Sequence, residues 1–215
     1  MYMITEGKPL EELLEVLSNA SKVYLIGCGT CATLLHTGGK PEVLSLGERL
    51  KEAGKNVTGW MVIPTACDDL SREALRDQEP GVSAADAIVV LSCALGVQTI
   101  ARFADRPVIP GLNTMFFGKR EGREQFTELC MQCGSCVIGK TAGVCPMTAC
   151  AKSLVNGPCG GYRDGKCEAD RTRDCAWVQI YQRLERLGLG GALPELPPFK
   201  DHTKLGHPRR STVSV

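Results

Sequence analysis

The stretch from Cys130 to Cys175 constrains this chain most, because it holds eight cysteines within 46 residues. An ordinary hydrophobic core does not need thiols at this density, whereas metal ligation does. The stretch begins with the tandem pattern Cys-x₂-Cys-x₂-Cys, which matches the start of bacterial ferredoxin motifs in which close thiolates hold an iron–sulfur cluster. The pattern predicts two cluster sites with four cysteines each. The eight cysteines are Cys130, Cys133, Cys136, Cys145, Cys150, Cys159, Cys167 and Cys175.

Two other uses of these cysteines have to be compared with iron–sulfur ligation. A disulfide framework is typical of small secreted domains, but the first residues read as an acidic amphipathic helix and not as a secretory signal. Structural zinc sites also use Cys-x₂-Cys knuckles. Zinc ribbons normally pair two such knuckles, and here there is only the tandem triple. Iron–sulfur is therefore the preferred interpretation, and zinc in at least one site is the alternative.

The spacing alone does not assign the cysteines to clusters. Cys130, Cys133 and Cys136 are expected to act together because two intervening residues let successive sulfur atoms face one centre. Their fourth ligand is one of the other five cysteines of the stretch, and the remaining four would hold the second cluster.

The first half of the chain predicts an α/β domain. Short apolar, β-rich runs alternate with amphipathic stretches, which is typical of a parallel sheet with helices on both faces, doubly wound in the flavodoxin or Rossmann manner. A small cysteine-rich, ferredoxin-like module with a C-terminal helix is expected to follow. The predicted strands are 22–27, 57–63, 87–91 and 107–110, and the predicted helices are 9–20, 41–53, 68–76 and 97–103.

Four further cysteines follow the predicted strands directly. Cys28 and Cys31 follow the first strand, Cys67 the second and Cys93 the third. Because the carboxyl ends of parallel strands share one edge of the sheet, and ligands bind there, we expect these four thiols to converge. The sequence therefore predicts a third four-cysteine site at this edge.

A dinucleotide-binding motif overlaps the first of these cysteines. Residues 27–32 fit Gly-x-Gly-x-x-Ala after a strand. The match is weak, because Gly38, Gly39 and Pro41 interrupt the helix that should follow, and the second strand does not end in the acidic residue that binds a ribose.

The chain is predicted to contain an α/β domain at 1–118, a cysteine-rich domain at 119–190 and an extended tail at 191–215. Residues 113–125 are polar and basic and are interpreted as the connector. Apolar residues recur with helical spacing over 177–187, and Gly188 is expected to end that helix. The tail is rich in proline and glycine and is expected either to be disordered or to lie on a partner. The three histidines, His36, His202 and His207, have no ligand spacing and are expected to face solvent.

Composition excludes some classes of partner. The formal net charge is +1 and charges of both signs are distributed along the chain, so neither nucleic acid nor a membrane surface is indicated. No apolar run approaches the roughly 20 residues that cross a bilayer. We therefore expect a cytoplasmic protein.

Several long elements of the cysteine-rich half resemble a known family. They are the segment from Cys145-Pro-Met-Thr-Ala-Cys150 through Asn156-Gly-Pro-Cys-Gly-Gly161, then Gly165-Lys-Cys167-Glu, and Cys175-Ala-Trp with the following Ile-Tyr-x-Arg-Leu. They are similar to the cysteine-rich iron–sulfur small subunit (MetV-type) of methylenetetrahydrofolate reductase, which occurs in acetogens and other anaerobes. The resemblance extends over residues from about 20 to 190, and all twelve cysteines fit it.

The resemblance implies an electron-transfer subunit with three [4Fe-4S] clusters, with zinc in place of one of them as the open alternative. Its partner would be a separate (β/α)₈ flavoprotein, carrying FMN or FAD, that reduces 5,10-methylenetetrahydrofolate, and further electron-transfer subunits are conceivable. At 215 residues the chain is shorter than the roughly 250 of a typical barrel of this kind, so catalysis is expected on the partner. The alternative function is a zinc-binding assembly subunit without a redox role.

Overall fold

The computed structural model describes residues 2–122, 124–191 and 200–209, which form two compact units. Unit 1 spans residues 1–126 and unit 2 spans residues 127–215. The elements of unit 1 are β1 (Tyr2–Gly7), α1 (Leu10–Val16), β2 (Lys22–Cys28), α2 (Cys31–Leu34), α3 (Lys40–Glu52), β3 (Asn56–Ile63), α4 (Ser71–Asp77), α5 (Glu79–Ser83), β4 (Ala87–Leu91), α6 (Ala94–Phe103), β5 (Val108–Pro110) and β6 (Leu112–Arg120).

Unit 1 is built on a four-stranded parallel sheet in the order β3-β2-β4-β5. All five residues of β4 are buried, as are six of the seven in β2, which explains why these runs are continuously apolar: both faces of a parallel sheet are covered. Val23, Ile26 and Val90 are fully buried, and each such side chain contributes roughly 1.5–3 kcal/mol. The predicted α/β class is confirmed for this unit.

The strand order shows how the helices are distributed. Counted among themselves, the four parallel strands follow the order 2-1-3-4, with the chain reversing its direction of travel after β3. Right-handed crossovers then place α3 on one face of the sheet and α4, α5 and α6 on the other. In agreement, α3 packs on β2 and β3, whereas α4 contacts α6. The reversal lies between β2 and β4, at the edge where Cys28 and Cys93 are found.

Two sequence predictions are wrong, and the same sheet corrects both. The start of the chain is not helical: residues 2–7 form β1, and the helix that follows begins only at Leu10. Residues 113–120 are not a connector, because they belong to β6, which pairs with β1 in antiparallel orientation. A two-residue strand β7 (Phe126–Thr127) completes this sheet in the order β1-β6-β7. The pairing joins segments about a hundred residues apart, so no local pattern indicates it.

Unit 2 has little regular structure in its described residues. It contains the helices α7 (Pro146–Ala149) and α8 (Ala176–Arg186) and two 3₁₀ turns at Ile138–Lys140 and Thr203–Leu205. Its small core gathers Trp177, Ile180 and Leu184 from α8, as the helical spacing predicts. Gly188 follows α8 with φ +69°, a conformation that glycine adopts readily. The ferredoxin-like character of this unit remains a prediction. None of the described helices is long and apolar enough to span a membrane.

Candidate metal centre

The parallel sheet brings the four cysteines of unit 1 to one edge. Cys28 ends β2 and lies in register with Ile63, the last residue of β3, while Gly27 lies in register with Leu91, the last residue of β4. The loops that carry Cys67 and Cys93 therefore begin at the level where β2 ends. Cys31, the first residue of α2, is three positions further along the chain from Cys28. We refer to Cys28, Cys31, Cys67 and Cys93 as the edge quartet.

The thiols of the edge quartet interact electrostatically. Burial raises the pKa of Cys67, and the neighbouring charges of Cys93, Cys28 and Cys31 raise it further, whereas its own backbone N–H opposes the shift. Like charges disfavour ionisation of one another in this way when they are close. A bound cation would reverse the effect, because it stabilises all four thiolates together.

Local hydrogen bonds fix the loops that carry these thiols. The hydroxyl groups of Ser71 and Thr114 act on two of the loops: Ser71 Oγ donates to the carbonyl of Ala66 at 3.0 Å, and the N–H of Ala94 donates to Thr114 Oγ1 at 2.8 Å. Cys67 and Cys93 therefore follow strands through short, braced connections. Cys28 is buried, Cys31 and Cys93 are half-buried, and Cys67 is exposed.

A loop of the chain itself covers the sheet beside the edge quartet. The N–H of Cys28 donates to the carbonyl of Gly38 at 2.9 Å, and a Cβ atom on Gly38 would lie 2.1 Å from the carbonyl oxygen of Leu91. The Gly38 backbone thus lies directly on the ends of β2 and β4. The helix after the glycine motif, α2, has only four residues. The long helix and the open crevice that a dinucleotide requires are both lacking here, so the overlapping motif is explained by packing.

In unit 2, the tandem triple lies in a tightly turned loop. Gln132 and Gly134 have positive φ values of 54° and 78°, which let the chain reverse between successive cysteines. The N–H of Gln132 donates to Cys130 Sγ at 3.4 Å, and Cys133 Sγ lies 3.6 Å from the carbonyl oxygen of Ser135. Amide donors to sulfur of this kind stabilise thiolates and tune clusters.

The thiol of Cys133 has an additional cationic neighbour. Burial raises the pKa of Cys133, but hydrogen bonding with the Ser135 backbone and with the Lys200 ammonium, together with the charge of Lys200, outweighs burial, so the pKa lies below the ordinary thiol value. The loop therefore favours the thiolate, the form that binds metal.

The short helix α7 has a cysteine at each end. Cys145 is its N-cap residue and Cys150 its C-cap residue. Thr148 Oγ1 of this helix donates to the carbonyl of Leu129 at 3.1 Å, so α7 lies beside the residue that precedes Cys130. This contact brings one or both of the α7 cysteines to the tandem triple.

Cys167 and Cys175 lie on the two sides of a small antiparallel ladder. Asp164 and Gly165 both have positive φ values, 50° and 76°, as in a type I′ turn, and they let the chain fold back at Lys166. The N–H of Cys167 donates to the carbonyl of Arg173 at 3.0 Å, and that of Cys175 donates to Gly165 at 2.7 Å.

The two thiols of this ladder have different surroundings. Hydrogen bonds from the N–H groups of Ala169 and Asp170 lower the pKa of Cys167. Cys175 is buried and is the N-cap residue of α8. Cys159 and Cys136 are exposed, and Gly157 and Gly160, both with positive φ, flank Cys159.

No disulfide bond joins the twelve cysteines, all of which lie in the described ranges. Over residues 2–122, 124–191 and 200–209, no three Cys, His, Asp or Glu side chains are arranged to hold a metal ion as they stand. The chemistry of the donors nevertheless fits a thiolate-ligated group: the thiols are free, several accept amide hydrogen bonds, and one quartet shares a sheet edge. His36, His202 and His207 are exposed, as predicted.

Comparison with known families concerns the second half of the chain. Residues 109–203 match the family described as "Methylene-tetrahydrofolate reductase C terminal". The chain therefore carries a domain related to methylene-tetrahydrofolate reductase. The reductase-related domain begins in β5 and includes all eight cysteines from Cys130 to Cys175, and it ends within the second 3₁₀ turn. No curated protein and no solved structure matches the chain at a significant level.

The sequence interpretation missed one residue of this region. Lys200 is buried and contacts the tandem triple loop, whereas the tail around it was expected to be disordered or to lie on a partner. No periodicity marks it. The only local signal is a lysine directly after a run of prolines and a phenylalanine.

Proposed function

We propose that this chain is the iron–sulfur electron-transfer subunit of a methylenetetrahydrofolate reductase complex. The observation that carries the proposal is that the reductase-related domain contains eight free cysteines on glycine-rich loops and short helix ends. Such a density of thiols serves ligation, and [4Fe-4S] clusters, when bound, transfer one electron at a time. The chain's own residues would hold the clusters and set their surroundings.

We assign the edge quartet to one cluster. Its four thiols come from the ends of three neighbouring strands and act electrostatically on one another. The sheet supplies a rigid platform, and the covering Gly38 loop excludes solvent from one side. Both features favour a fixed ligand geometry and a low cost of reorganisation.

In unit 2, Cys130, Cys133 and Cys136 would hold the second cluster, and the ladder supports Cys167 and Cys175 as members of the third. The fourth ligand of the second cluster then comes from Cys145, Cys150 or Cys159. The contact between Thr148 and Leu129 favours the two α7 cysteines over Cys159.

The folate chemistry belongs on a partner in this proposal. Within the described residues there is a four-stranded parallel sheet and a three-stranded antiparallel one, and no eight-stranded barrel. We expect the partner to be a (β/α)₈ protein that binds FMN or FAD, with its flavin accepting electrons from this chain. Two electrons, passed one at a time, are needed to reduce the methylene bridge of the folate to a methyl group.

Metal and sulfide analysis tests the proposal. Protein purified without oxygen should contain about twelve iron atoms and as many acid-labile sulfides per chain, and its visible absorbance should bleach with dithionite. Zinc without sulfide would overturn the redox role and favour an assembly subunit. A second measurement mixes the dithionite-reduced chain with a flavin-loaded methylenetetrahydrofolate reductase. Reduction of that flavin is expected, and it should slow in the Cys130→Ala variant.

A further inference from the structure

The described C-terminal segment, residues 200–209, lies on the loop of the tandem triple. The ammonium of Lys200 donates to the carbonyl of Ser135, and the guanidinium of Arg209 donates to the carbonyl of Gln132. A Cβ atom on Gly134 would lie 2.8 Å from Cβ of Lys204. Three successive points of the loop thus contact one basic segment, which we call the clasp.

Lys200 differs from the other basic residues of the clasp in its burial. It is 8% exposed, and among the residues that the structure describes it is the one charged residue that is buried. Lys204 and Arg209 are exposed. A buried ammonium is costly unless an anionic or strongly accepting partner compensates it.

The neighbours of Lys200 identify where that compensation comes from. In the described part of the chain its ammonium forms no ion pair with a carboxylate. The nearby carboxylate of Asp201 accepts instead from the N–H and hydroxyl of Thr203, at 2.9 and 2.5 Å. The groups that Lys200 does contact are the Ser135 carbonyl and the Cys133 thiol.

We propose that Lys200 is a positioning residue that holds a buried positive charge against the group ligated by Cys130, Cys133 and Cys136 and thereby raises its reduction potential. This inference rests on the proposed function. A fixed cation stabilises the reduced form, which carries one more negative charge, relative to the oxidised form. The clasp also closes the loop on the side of Cys133, which lowers solvent access and strengthens the effect.

Three variants of the full chain test the inference. Lys200→Met keeps the length of the stem but removes the charge, and Lys200→Arg restores a charge. Lys204→Met is the matched control, because it removes a charge from an exposed position of the same segment and keeps the carbon stem against Gly134. All three are prepared without oxygen, and iron, sulfide and hydrogen exchange over residues 130–136 are measured before the potential.

The readout is the midpoint potential of each cluster, followed by electron paramagnetic resonance during a redox titration. We expect one of the clusters to shift to a more negative potential in Lys200→Met, with recovery in Lys200→Arg and no shift in Lys204→Met. An unchanged potential in Lys200→Met at normal iron content would overturn the inference. A shift of equal size in Lys204→Met would also overturn it, because the effect would then be long-range charge.

The design separates this inference from the proposed function. If wild-type protein contains no iron and sulfide, the proposed function fails and no potential exists to be set. If wild-type protein has its clusters and Lys200→Met loses iron together with exchange protection in residues 130–136, while Lys200→Arg does too, Lys200 has a packing role and the charge argument is wrong.

Discussion

The indole Nε1 of Trp177 donates a hydrogen bond to the carbonyl oxygen of Leu154, 2.8 Å away. The bond joins the buried face of α8 to the loop that follows Cys150. Because Trp177 is 2% exposed, water cannot replace it as the partner of that carbonyl. The helix and the cysteine-bearing loops of unit 2 are therefore held as one structure.

Replacing Trp177 with phenylalanine should destabilise unit 2. The change removes the donor and leaves a buried carbonyl without it, at a cost of about 1–3 kcal/mol. Urea unfolding followed by hydrogen exchange in α8 measures the loss. Tyr181→Phe is the control, because Tyr181 is 42% exposed and keeps its ring 6.0 Å from that of Trp177. Equal stability of the two variants would contradict the assignment.

Removing the metal should unfold unit 2 before unit 1. The core of unit 2 has four buried residues, whereas the core of unit 1 gathers buried side chains from four strands and five helices. Metal binding must therefore supply much of the folding free energy of unit 2. Chelator-treated protein should lose exchange protection in α8 while β2 and β4 remain protected. Native protection of α8 in a metal-free sample would show that the argument is wrong.

Cys167 and Cys175 should act as ligands of the same site. Cys167→Ala and Cys175→Ala are each expected to lose about four iron atoms, and the double variant should lose no more than either single one. Adding Cys93→Ala, from the edge quartet, should remove about four further atoms. Additive losses from the Cys167 and Cys175 variants would place the two thiols in different clusters.

Alanine at position 38 should destabilise unit 1. The new Cβ atom would lie 2.1 Å from the Leu91 carbonyl oxygen, so the loop must move away from β4, at a cost of about 1–3 kcal/mol. Thermal unfolding and the iron content of the edge quartet report the change. Gly7→Ala is the matched control because nothing lies within 4 Å of its added Cβ atom. A Gly38→Ala protein as stable as the control would disprove the close approach.

Acid should weaken unit 1 partly through Asp86. The N–H groups of Lys22 and Ser21 donate to its carboxylate at 2.8 and 2.9 Å, and they lower its pKa from the ordinary value of 3.8. Because the folded pKa lies below the unfolded one, the stabilisation is present above pH 3.8 and is lost as the pH falls through the folded value.

The Asp86→Asn variant should therefore differ from wild type at neutral pH and approach it in acid. Unfolding midpoints in urea between pH 2 and 7 measure this, and Asp77→Asn, at an exposed position of α4, is the control. A pH-independent difference between Asp86→Asn and wild type would show that the charge is not involved.

The sequence predicted those parts of the fold whose signals are local. β4 begins and ends where its apolar run does, and α8 follows the spacing of its apolar residues. β1 and β6 were missed because each is largely polar or half-exposed and is stabilised only by pairing with the other. Propensity favoured a helix for the first and a loop for the second, and tertiary pairing overrode both.

The candidate site shows the same division. That Cys28, Cys67 and Cys93 share an edge follows from parallel topology alone, so the sequence contained it. The positions of Gly38 and Lys200 depend on how loops return to the sheet and to Cys133, and neither residue lies in a periodic pattern. Resemblance to a family indicated the cysteines and gave no indication of the cation beside them.

The Gly38 backbone resting on the carboxyl ends of β2 and β4 has a further meaning for how this architecture is used. Related sheets keep that position vacant for a diffusible molecule that enters and leaves. Here the polypeptide fills it permanently, and the thiols are the only reactive groups that the rim presents. Such a sheet is an anchor for something installed once during assembly, and its working cycle needs no exchange of small molecules at that point.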